Sequence, residues 1–189
     1  TPTFSPIAGT YGSTQTVTIS TTTDGATIRY TTNDSDPTES STQYSSAISV
    51  SQNTTIKAKA WKTDMTPSAV ATAAYVIKAA TPTFDPVAGT YSGTQSVTIS
   101  CATPSPTIYY TTNGSTPTTS STQYSGPVSV ATSQTLKAIA TATNYGTSDV
   151  AAAAYTITVP TITVNPTTLT EFTYVLGNGP STPEKTFTI

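Results

Sequence analysis

The sequence predicts an all-β chain built from two tandem β-sandwiches with a short C-terminal β segment. Three observations lead to this prediction: a long internal repeat, apolar residues that alternate with polar ones, and a high content of β-branched side chains. Threonine alone supplies 48 of the 189 residues, and its branched Cβ favours strands over helices. We therefore expect strands and turns, with no helix longer than a turn or two.

The internal repeat has a period of 80 residues. The segment TPTFSPIAGTY at 1–11 returns as TPTFDPVAGTY at 81–91, and the alignment continues without a gap, with 45 of 80 positions identical. A unit of this length exceeds the usual period of solenoid repeats and can enclose its own small core. The repeat therefore predicts two sandwich domains, residues 1–78 and 79–159.

The predicted connection between the two domains is short. Only Lys78, Ala79 and Ala80 separate the last predicted strand of the first copy, which ends near Ile77, from the start of the second copy at Thr81. A short linker restricts two domains to a narrow range of angles. We expect a stiff pair rather than two domains on a flexible tether.

Within each copy the apolar period is two. The segments TVTI at 16–19, TIRY at 27–30 and TIKAKA at 55–60 alternate apolar with polar residues, so one side of each strand faces a core and the other faces water. Turn residues such as Pro6, Gly25 and Pro67 separate these segments. The pattern predicts about seven short strands in a small antiparallel sandwich for each copy.

Residues 160–189 carry a different pattern. Ile162 and Val164 alternate with polar residues near the start of this segment, as do Phe187 and Ile189 near its end, with a loop predicted at 177–180. Two or three strands rarely fold alone. We predict an incomplete third β module whose two strands pair and dock on the second domain or on another copy of the molecule.

The composition excludes several classes of chemistry. The chain has no histidine, which removes Ser-His-Asp triads, Cys-His dyads and His-ligated metal sites. Charged residues make up 8% of the chain and the net charge is −2, so no nucleic-acid partner is expected. The one cysteine, Cys101, has no disulfide partner and should behave as a small buried hydrophobe. We expect no enzyme activity, no cofactor and no metal.

An acidic loop in the first copy raises one alternative. Asp34, Asp36 and Glu39 could offer oxygen ligands to calcium. The equivalent residues of the second copy are Gly114, Thr116 and Thr119. Because the second copy builds the same loop without a carboxylate, we favour a turn begun by Asn33 and by Asn113, with a solvated acidic rim in the first copy.

Within the two copies the aromatic residues divide into two groups. Five recur in both copies and are predicted to be core: Phe4/Phe84, Tyr11/Tyr91, Tyr30/Tyr110, Tyr44/Tyr124 and Tyr75/Tyr155. Three do not recur and are the candidates for ligand binding: Trp61, Tyr109 and Tyr145. Alternation places Trp61 on the outward face of its strand, Tyr109 takes the outward place of Arg29, and Tyr145 replaces Met65 in a loop. Such residues can stack on sugar rings, pack against a neighbouring domain or partner, or have no role.

The order of motifs carries a family resemblance. The series GTY, VTIS, TIRYTTNDSDPT (TIYYTTNGSTPT in the second copy), STQY, TIKAKA and AAYVI resembles the chitobiase/β-hexosaminidase C-terminal-type domain, over both copies from Thr1 to about Ile157. The resemblance implies an immunoglobulin-like or fibronectin-III-like sandwich, and a non-catalytic module of multidomain secreted or surface proteins of bacteria, often beside glycoside hydrolases. The tail is similar to the start of another Ig-like module of Bacteroides-type surface proteins.

The resemblance does not transfer an activity. Chitobiases cleave with an adjacent Asp-Glu pair on a separate barrel domain, and this chain has no Asp-Glu dipeptide. Two functions follow as expectations: an accessory or spacer module that contacts neighbouring domains of its own polypeptide, or a carbohydrate-binding module for chitin or a related glycan. Both place the protein outside the cell or on its surface. No apolar run approaches the roughly 20 residues of a membrane helix. The chain opens on Thr1-Pro2 without an apolar leader, so we expect an export signal to lie outside these 189 residues.

Overall fold

A computed structural model describes residues 1–159, and in it each repeat forms eight strands and no helix. The strands of repeat 1 are β1 (Thr3–Ser5), β2 (Gly9–Tyr11), β3 (Gln15–Ser20), β4 (Thr27–Thr31), β5 (Thr42–Gln43), β6 (Ile48–Val50), β7 (Thr54–Trp61) and β8 (Ala71–Ile77). Those of repeat 2 are β9 (Thr83–Asp85), β10 (Gly89–Ser92), β11 (Gln95–Ser100), β12 (Thr107–Thr111), β13 (Thr122–Gln123), β14 (Val128–Val130), β15 (Gln134–Thr141) and β16 (Ala151–Thr158). The expected seven strands become eight because the N-terminal segment of each repeat supplies two.

Each repeat contains a three-stranded and a five-stranded sheet. The orders are β1-β3-β6 and β2-β8-β7-β4-β5 in repeat 1, and β9-β11-β14 and β10-β16-β15-β12-β13 in repeat 2. The all-β tandem fold is as predicted, but the sheets are not wholly antiparallel, because β2 pairs parallel with β8 and β10 pairs parallel with β16. Pro6 and Pro86, which cannot donate a ladder hydrogen bond, lie where the N-terminal segment passes from one sheet to the other.

The two sheets of each repeat enclose a separate core. Alternation along the strands supplies its residues: Val17, Ile19, Ile28, Val50, Ile56, Ala58, Ala60, Ala73, Tyr75 and Ile77 in repeat 1, with their counterparts in repeat 2. The recurring aromatics are buried in these cores or packed against them, as predicted. Tyr75 and Tyr155 are almost fully buried, and their hydroxyls donate to the carbonyls of Pro6 (2.8 Å) and Pro86 (2.6 Å).

The backbone is preserved even where the two sequences diverge. Asp64 and its equivalent Asn144 have φ of 66° and 63°, both in the left-handed region. Asp34 (65°) likewise corresponds to Gly114 (74°). Asn and Asp tolerate this conformation better than other residues with a side chain, so the substitutions retain each turn.

Residues Thr1–Val159 form one compact unit. The three connecting residues are held by contacts: Lys78 bridges Gly146, the Ala80 N–H donates to Thr103, and Ala79 is 3% exposed in the core of repeat 2. Within these residues no helix is long and apolar enough to cross a membrane. The predicted third module, with strands near Ile162 and Phe187, lies outside the described residues.

Candidate functional site

Trp61 lies at the end of β7 on the outward face of the five-stranded sheet of repeat 1. The residues before it alternate as predicted, with Ile56, Ala58 and Ala60 buried, and Trp61 is not part of the core cluster. It pairs with Thr27 of β4. Alternation along β7 therefore placed this side chain correctly.

A cationic pair stands beside Trp61 on the same face. Lys59 pairs directly with Arg29 across β7 and β4, which brings two like charges together. The Lys59 Nζ lies 5.4 Å from the centre of the Trp61 ring, within the range of a cation–π contact. Arg29 donates from Nη1 to the carbonyl of Ser41 at 2.7 Å. The Trp61 ring thus contacts Lys59, and the Ser41 carbonyl accepts a hydrogen bond from Arg29.

An open groove of 640 Å³ runs past Trp61. Its walls include Arg29, Glu39, Lys62 and Met65. The groove therefore combines an aromatic ring with hydrogen-bond donors on the Arg and Lys side chains and an acceptor on the carboxylate. Such a combination can stack against a sugar ring and hydrogen-bond its hydroxyls.

Tyr109 occupies the corresponding outward face of repeat 2, where the chemistry differs. It pairs with Ile139 of β15 and with Gln123 of β13, and it is half-buried. Ile139 stands where repeat 1 has Lys59 and is only 5% exposed, although its neighbours in β15 face the core. This face is apolar where that of repeat 1 is cationic, so Tyr109 and Trp61 do not belong to one repeated surface.

Tyr145 lies between the two repeats. Its side chain packs against both hydrophobic cores, and its backbone N–H donates to the carbonyl of Ala142 at 3.1 Å. The interpretation of Tyr145 as a ligand-binding residue thus competes with an observed packing contact. Trp61, Tyr109 and Tyr145 lie on three different surfaces, and none is brought together with another.

The contact between the repeats is made largely by the backbone. Lys78 and Gly146 form a parallel bridge, in which Gly146 donates to the carbonyl of Ile77 and Ala79 donates to the carbonyl of Gly146, each at 2.8 Å. The Asn53 N–H donates to the carbonyl of Asn144, also at 2.8 Å. We call this set of contacts the junction.

Side chains add to the junction. Lys78 forms an ion pair with Asp149. The Oγ1 of Thr103 accepts from the Ala80 N–H at 2.7 Å, and the Sγ of Cys101 donates to the Ala80 carbonyl at 3.2 Å. Cys101 was expected to be buried but is half-buried; it packs against the core, and its thiol also holds the connecting backbone.

Gly146 is the position at which the junction has least room. A Cβ there would stand 2.7 Å from Cγ1 of Val76, closer than real Cβ contacts come. Repeat 1 has Thr66 at the equivalent position. A side chain at position 146 would therefore force Val76 to shift.

The acidic loop of repeat 1 faces a lysine. Lys57 donates from Nζ to Oδ1 of Asp36 at 3.1 Å and to the backbone carbonyl of Asp34 at 2.7 Å. The hydrogen bond to Asp36, together with the charge of Asp34, raises the pKa of Lys57 despite partial desolvation. Asn33 accepts from the N–H (3.3 Å) and hydroxyl (2.7 Å) of Ser35, which is the predicted Asx turn. Residues 1–159 contain no group of three His, Cys, Asp or Glu side chains placed to hold a metal ion.

The junction was not predicted, although the sequence holds a signal for it. Three differences between the copies coincide there: Gly146 for Thr66, Tyr145 for Met65 and Asp149 for Ala69. Each lies in the loop after the long central strand. Such a cluster of substitutions indicates that the loop after β15 makes contacts that the equivalent loop after β7 does not make.

Comparison with known proteins identifies a family. The family profile of the chitobiase/beta-hexosaminidase C-terminal domain matches twice, over residues 6–72 and 86–152. A solved structure of fibronectin(III)-like modules of Clostridium thermocellum CbhA is similar at 13% identity, covering 84% of this chain and 95% of that one, with a TM-score of 0.31. No curated protein sequence matches the chain. Since the two profile matches span more than two thirds of its length, this chain belongs to the chitobiase/beta-hexosaminidase C-terminal domain family, of which it carries two tandem copies.

Proposed function

We propose that this chain is a non-catalytic accessory module that acts as a stiff spacer in a multidomain secreted or cell-surface protein associated with carbohydrate-active enzymes. The observation that supports it best is the junction, where backbone hydrogen bonds and the shared Tyr145 hold repeat 2 against repeat 1. Family membership supports the carbohydrate-associated, extracellular setting. The partners of such a module are the neighbouring domains of its own polypeptide.

Several features of the junction favour stiffness over a hinge. A hinge needs residues that can change φ and ψ freely, but the N–H of Lys78 donates to the carbonyl of Tyr11 and that of Ala79 to Gly146. The N–H of Ala80 is bonded to Thr103. Every connecting residue therefore has its N–H engaged within one repeat or the other. Bending at this point would break several hydrogen bonds at once.

Spin labels on the two repeats test the spacer. Thr16 and Ser96 are equivalent exposed strand positions, one on each repeat, and can be changed to Cys in a Cys101→Thr background, which supplies the residue that repeat 1 has there. The pulsed electron–electron distance distribution between the labels should be a single narrow peak. Gly146→Thr should broaden it, whereas Gly126→Thr, where no atom lies within 4 Å of an added Cβ, should not. A broad distribution in the labelled chain that retains Gly146 would rule out a stiff spacer.

The groove beside Trp61 supports a second candidate, a carbohydrate-binding module for chitin or a related glycan. The ring, Arg29 and Glu39 provide stacking and hydrogen-bonding groups on one open surface. A glycan array with chitin, cellulose and host glycans would reveal binding by the full chain. Trp61→Thr, which introduces the residue found in repeat 2, should abolish it, and Tyr109→Arg should leave it intact. No binding to any glycan would reject this candidate without affecting the spacer.

A further inference from the structure

Beside the groove, repeat 1 has a smaller cavity of 170 Å³, which we call the Thr23 cavity. Its lining includes Thr21, Thr23, Trp61, Met65 and Thr66. Certain residues of repeat 2 hold the connecting segment. Their equivalents in repeat 1, 80 positions earlier, lie in this lining. Cys101, Thr103 and Gly146 correspond to Thr21, Thr23 and Thr66. The cavity in repeat 1 is therefore the counterpart of the place that Ala79 and Ala80 occupy in repeat 2.

The hydrogen-bonding groups of that place recur in repeat 1. In repeat 2 they are the Cys101 Sγ, the Thr103 Oγ1 and the Gly146 carbonyl, all engaged with Ala79 or Ala80. Repeat 1 offers the Thr21 hydroxyl, the Thr23 Oγ1 and the Thr66 carbonyl. Thr21 already accepts from the Thr23 N–H at 3.4 Å, which leaves its hydroxyl proton to donate.

The loop of repeat 1 has the same backbone conformation as the loop of repeat 2 that makes the junction. The Met65 N–H donates to Lys62 and the Ser68 N–H to Ala60, at 3.1 and 2.9 Å, and the same bonds form at the same distances in the loop of repeat 2. Asp64 adopts the left-handed conformation of its equivalent, Asn144. Within residues 1–159 the loop of repeat 1 thus keeps the backbone conformation that its equivalent has at the junction, and is preorganised for the same contacts.

Exposure shows the difference that a partner makes. Met65 is 54% exposed and Thr66 is exposed, whereas their counterparts Tyr145 and Gly146 are half-buried at the junction. Thr103 is buried beneath the connecting segment, while Thr23 is half-exposed. Repeat 1 thus leaves exposed the surface whose equivalent on repeat 2 is covered by the connecting segment.

We infer that the Thr23 cavity and the Met65 loop form a docking surface for another sandwich domain of this family, which places the exit of its closing strand there as Ile77–Ala80 do at the junction. The second and third residues after that strand, the equivalents of Ala79 and Ala80, lie in the cavity and hydrogen-bond through their backbone to Thr66 and Thr23. This inference goes beyond the spacer, since it assigns the surface and the kind of partner that it fits.

Thr66 sets a requirement on that partner. A Cβ at the equivalent position of repeat 2 would clash with Val76, at 2.7 Å from its Cγ1. Because repeat 1 has a Cβ at this position, its partner must carry a small residue where repeat 1 itself carries Val76. The partner also needs no lysine at the position of Lys78, since repeat 1 has Ala69 in place of Asp149. The surface therefore selects against an identical copy of repeat 1.

The test fuses an added copy of residues 1–80 ahead of Thr1 of the full chain and measures amide hydrogen exchange. Three versions are compared: the added copy unchanged, the added copy with Val76→Ala, and the unchanged added copy with Thr66→Gly in the original repeat 1. The amide of Ala79 in the added copy should be protected at least about tenfold more in the second and third versions than in the first. The third version leaves the added domain itself unaltered, so its folding is not in question.

The exchange rates distinguish failure of the docking surface from failure of the spacer. Equal exchange of that Ala79 amide in all three versions, at the rate of an unbonded amide, would overturn the docking surface. Strong protection in the first version would overturn the requirement for a small residue. The Ala79 amide of the original junction is an internal reference. If it is itself unprotected, the spacer fails, whereas protection there and none in the added copy rejects only the docking surface.

Discussion

Repeat 1 and repeat 2 have the same strands in the same order and two cores built from equivalent positions. They differ on the outward face, where Trp61 and Lys59 stand in place of Thr141 and Ile139, and in the loop that carries Met65 or Tyr145. Core positions must fill a fixed volume and so accept few changes, while faces and loops change with what they meet. Residues with a function specific to one repeat are therefore expected where the two repeats differ in sequence.

The largest expected effect tests the part that the copies share. Tyr75→Ala and Tyr155→Ala each remove a buried ring and its hydrogen bond to a proline carbonyl, so each should cost about 3–5 kcal/mol of unfolding free energy. Because the two environments match, the costs should be similar. Chemical denaturation measures both, and a cost below about 1 kcal/mol for either variant would show that its ring is not a core element.

The next effect tests the loop in which the copies differ. Gly146→Thr installs the residue of repeat 1 and forces its Cβ against Val76, so it should destabilise the chain by about 1–3 kcal/mol. Gly126→Thr is the matched control and should change stability by about 0.5 kcal/mol or less, since nothing lies near its added Cβ. Thermal or denaturant unfolding compares them. Equal effects of the two substitutions would mean that the contact at Gly146 does not exist in solution.

A smaller effect is expected on the outward face. Trp61→Ala removes a half-buried ring that lies outside the core, together with its cation–π contact to Lys59, and should cost about 1 kcal/mol. Denaturation of this variant beside Tyr75→Ala gives the contrast. If Trp61→Ala unfolds repeat 1 outright, the ring must be a core element and the assigned face is wrong.

The smallest difference between the repeats is expected in their response to alkali. Burial raises the pKa of Tyr75 and of Tyr155 above the ordinary value of 10.0, with further contributions from the neighbouring Tyr11 and Tyr91. A raised folded pKa means stability that is complete below pH 10 and is lost as the pH rises through the folded value. Tyr75→Phe and Tyr155→Phe should each reduce this loss to a similar extent, measured as unfolding free energy against pH. Unchanged alkaline sensitivity in both variants would contradict the assignment.

Much of the fold followed from the sequence because its signals are local or periodic. Alternation along TIKAKAW placed Ile56 inward and Trp61 outward, and the 80-residue period predicted two copies of one sandwich fold, as observed. The parallel pairing of β2 with β8 was missed, because alternation fixes the side on which a residue lies but not the strand beside which it lies.

The candidate site was predicted less fully. Trp61 and Tyr109 could be placed because each lies in a strand with a definite phase. Tyr145 lies in a loop, where no period applies, and its contacts come from residues far away in the sequence. The three connecting residues looked like a linker since only the folded chain brings Gly146 and Thr103 to them. Contacts between the repeats depend on the tertiary structure. In the sequence, only the differences between the two equivalent loops indicate them.

Amide hydrogen exchange at Gly146 and Thr66 tests the central claim most directly, because these equivalent amides should differ only through the junction. The Gly146 N–H donates to the Ile77 carbonyl, whereas within residues 1–159 the Thr66 N–H has no backbone acceptor. After correction for intrinsic rates, Gly146 should exchange at least about 100-fold more slowly than Thr66 in the full chain. Equal exchange of the two amides would contradict the account, since it would show that the loop of repeat 2 is as free as that of repeat 1.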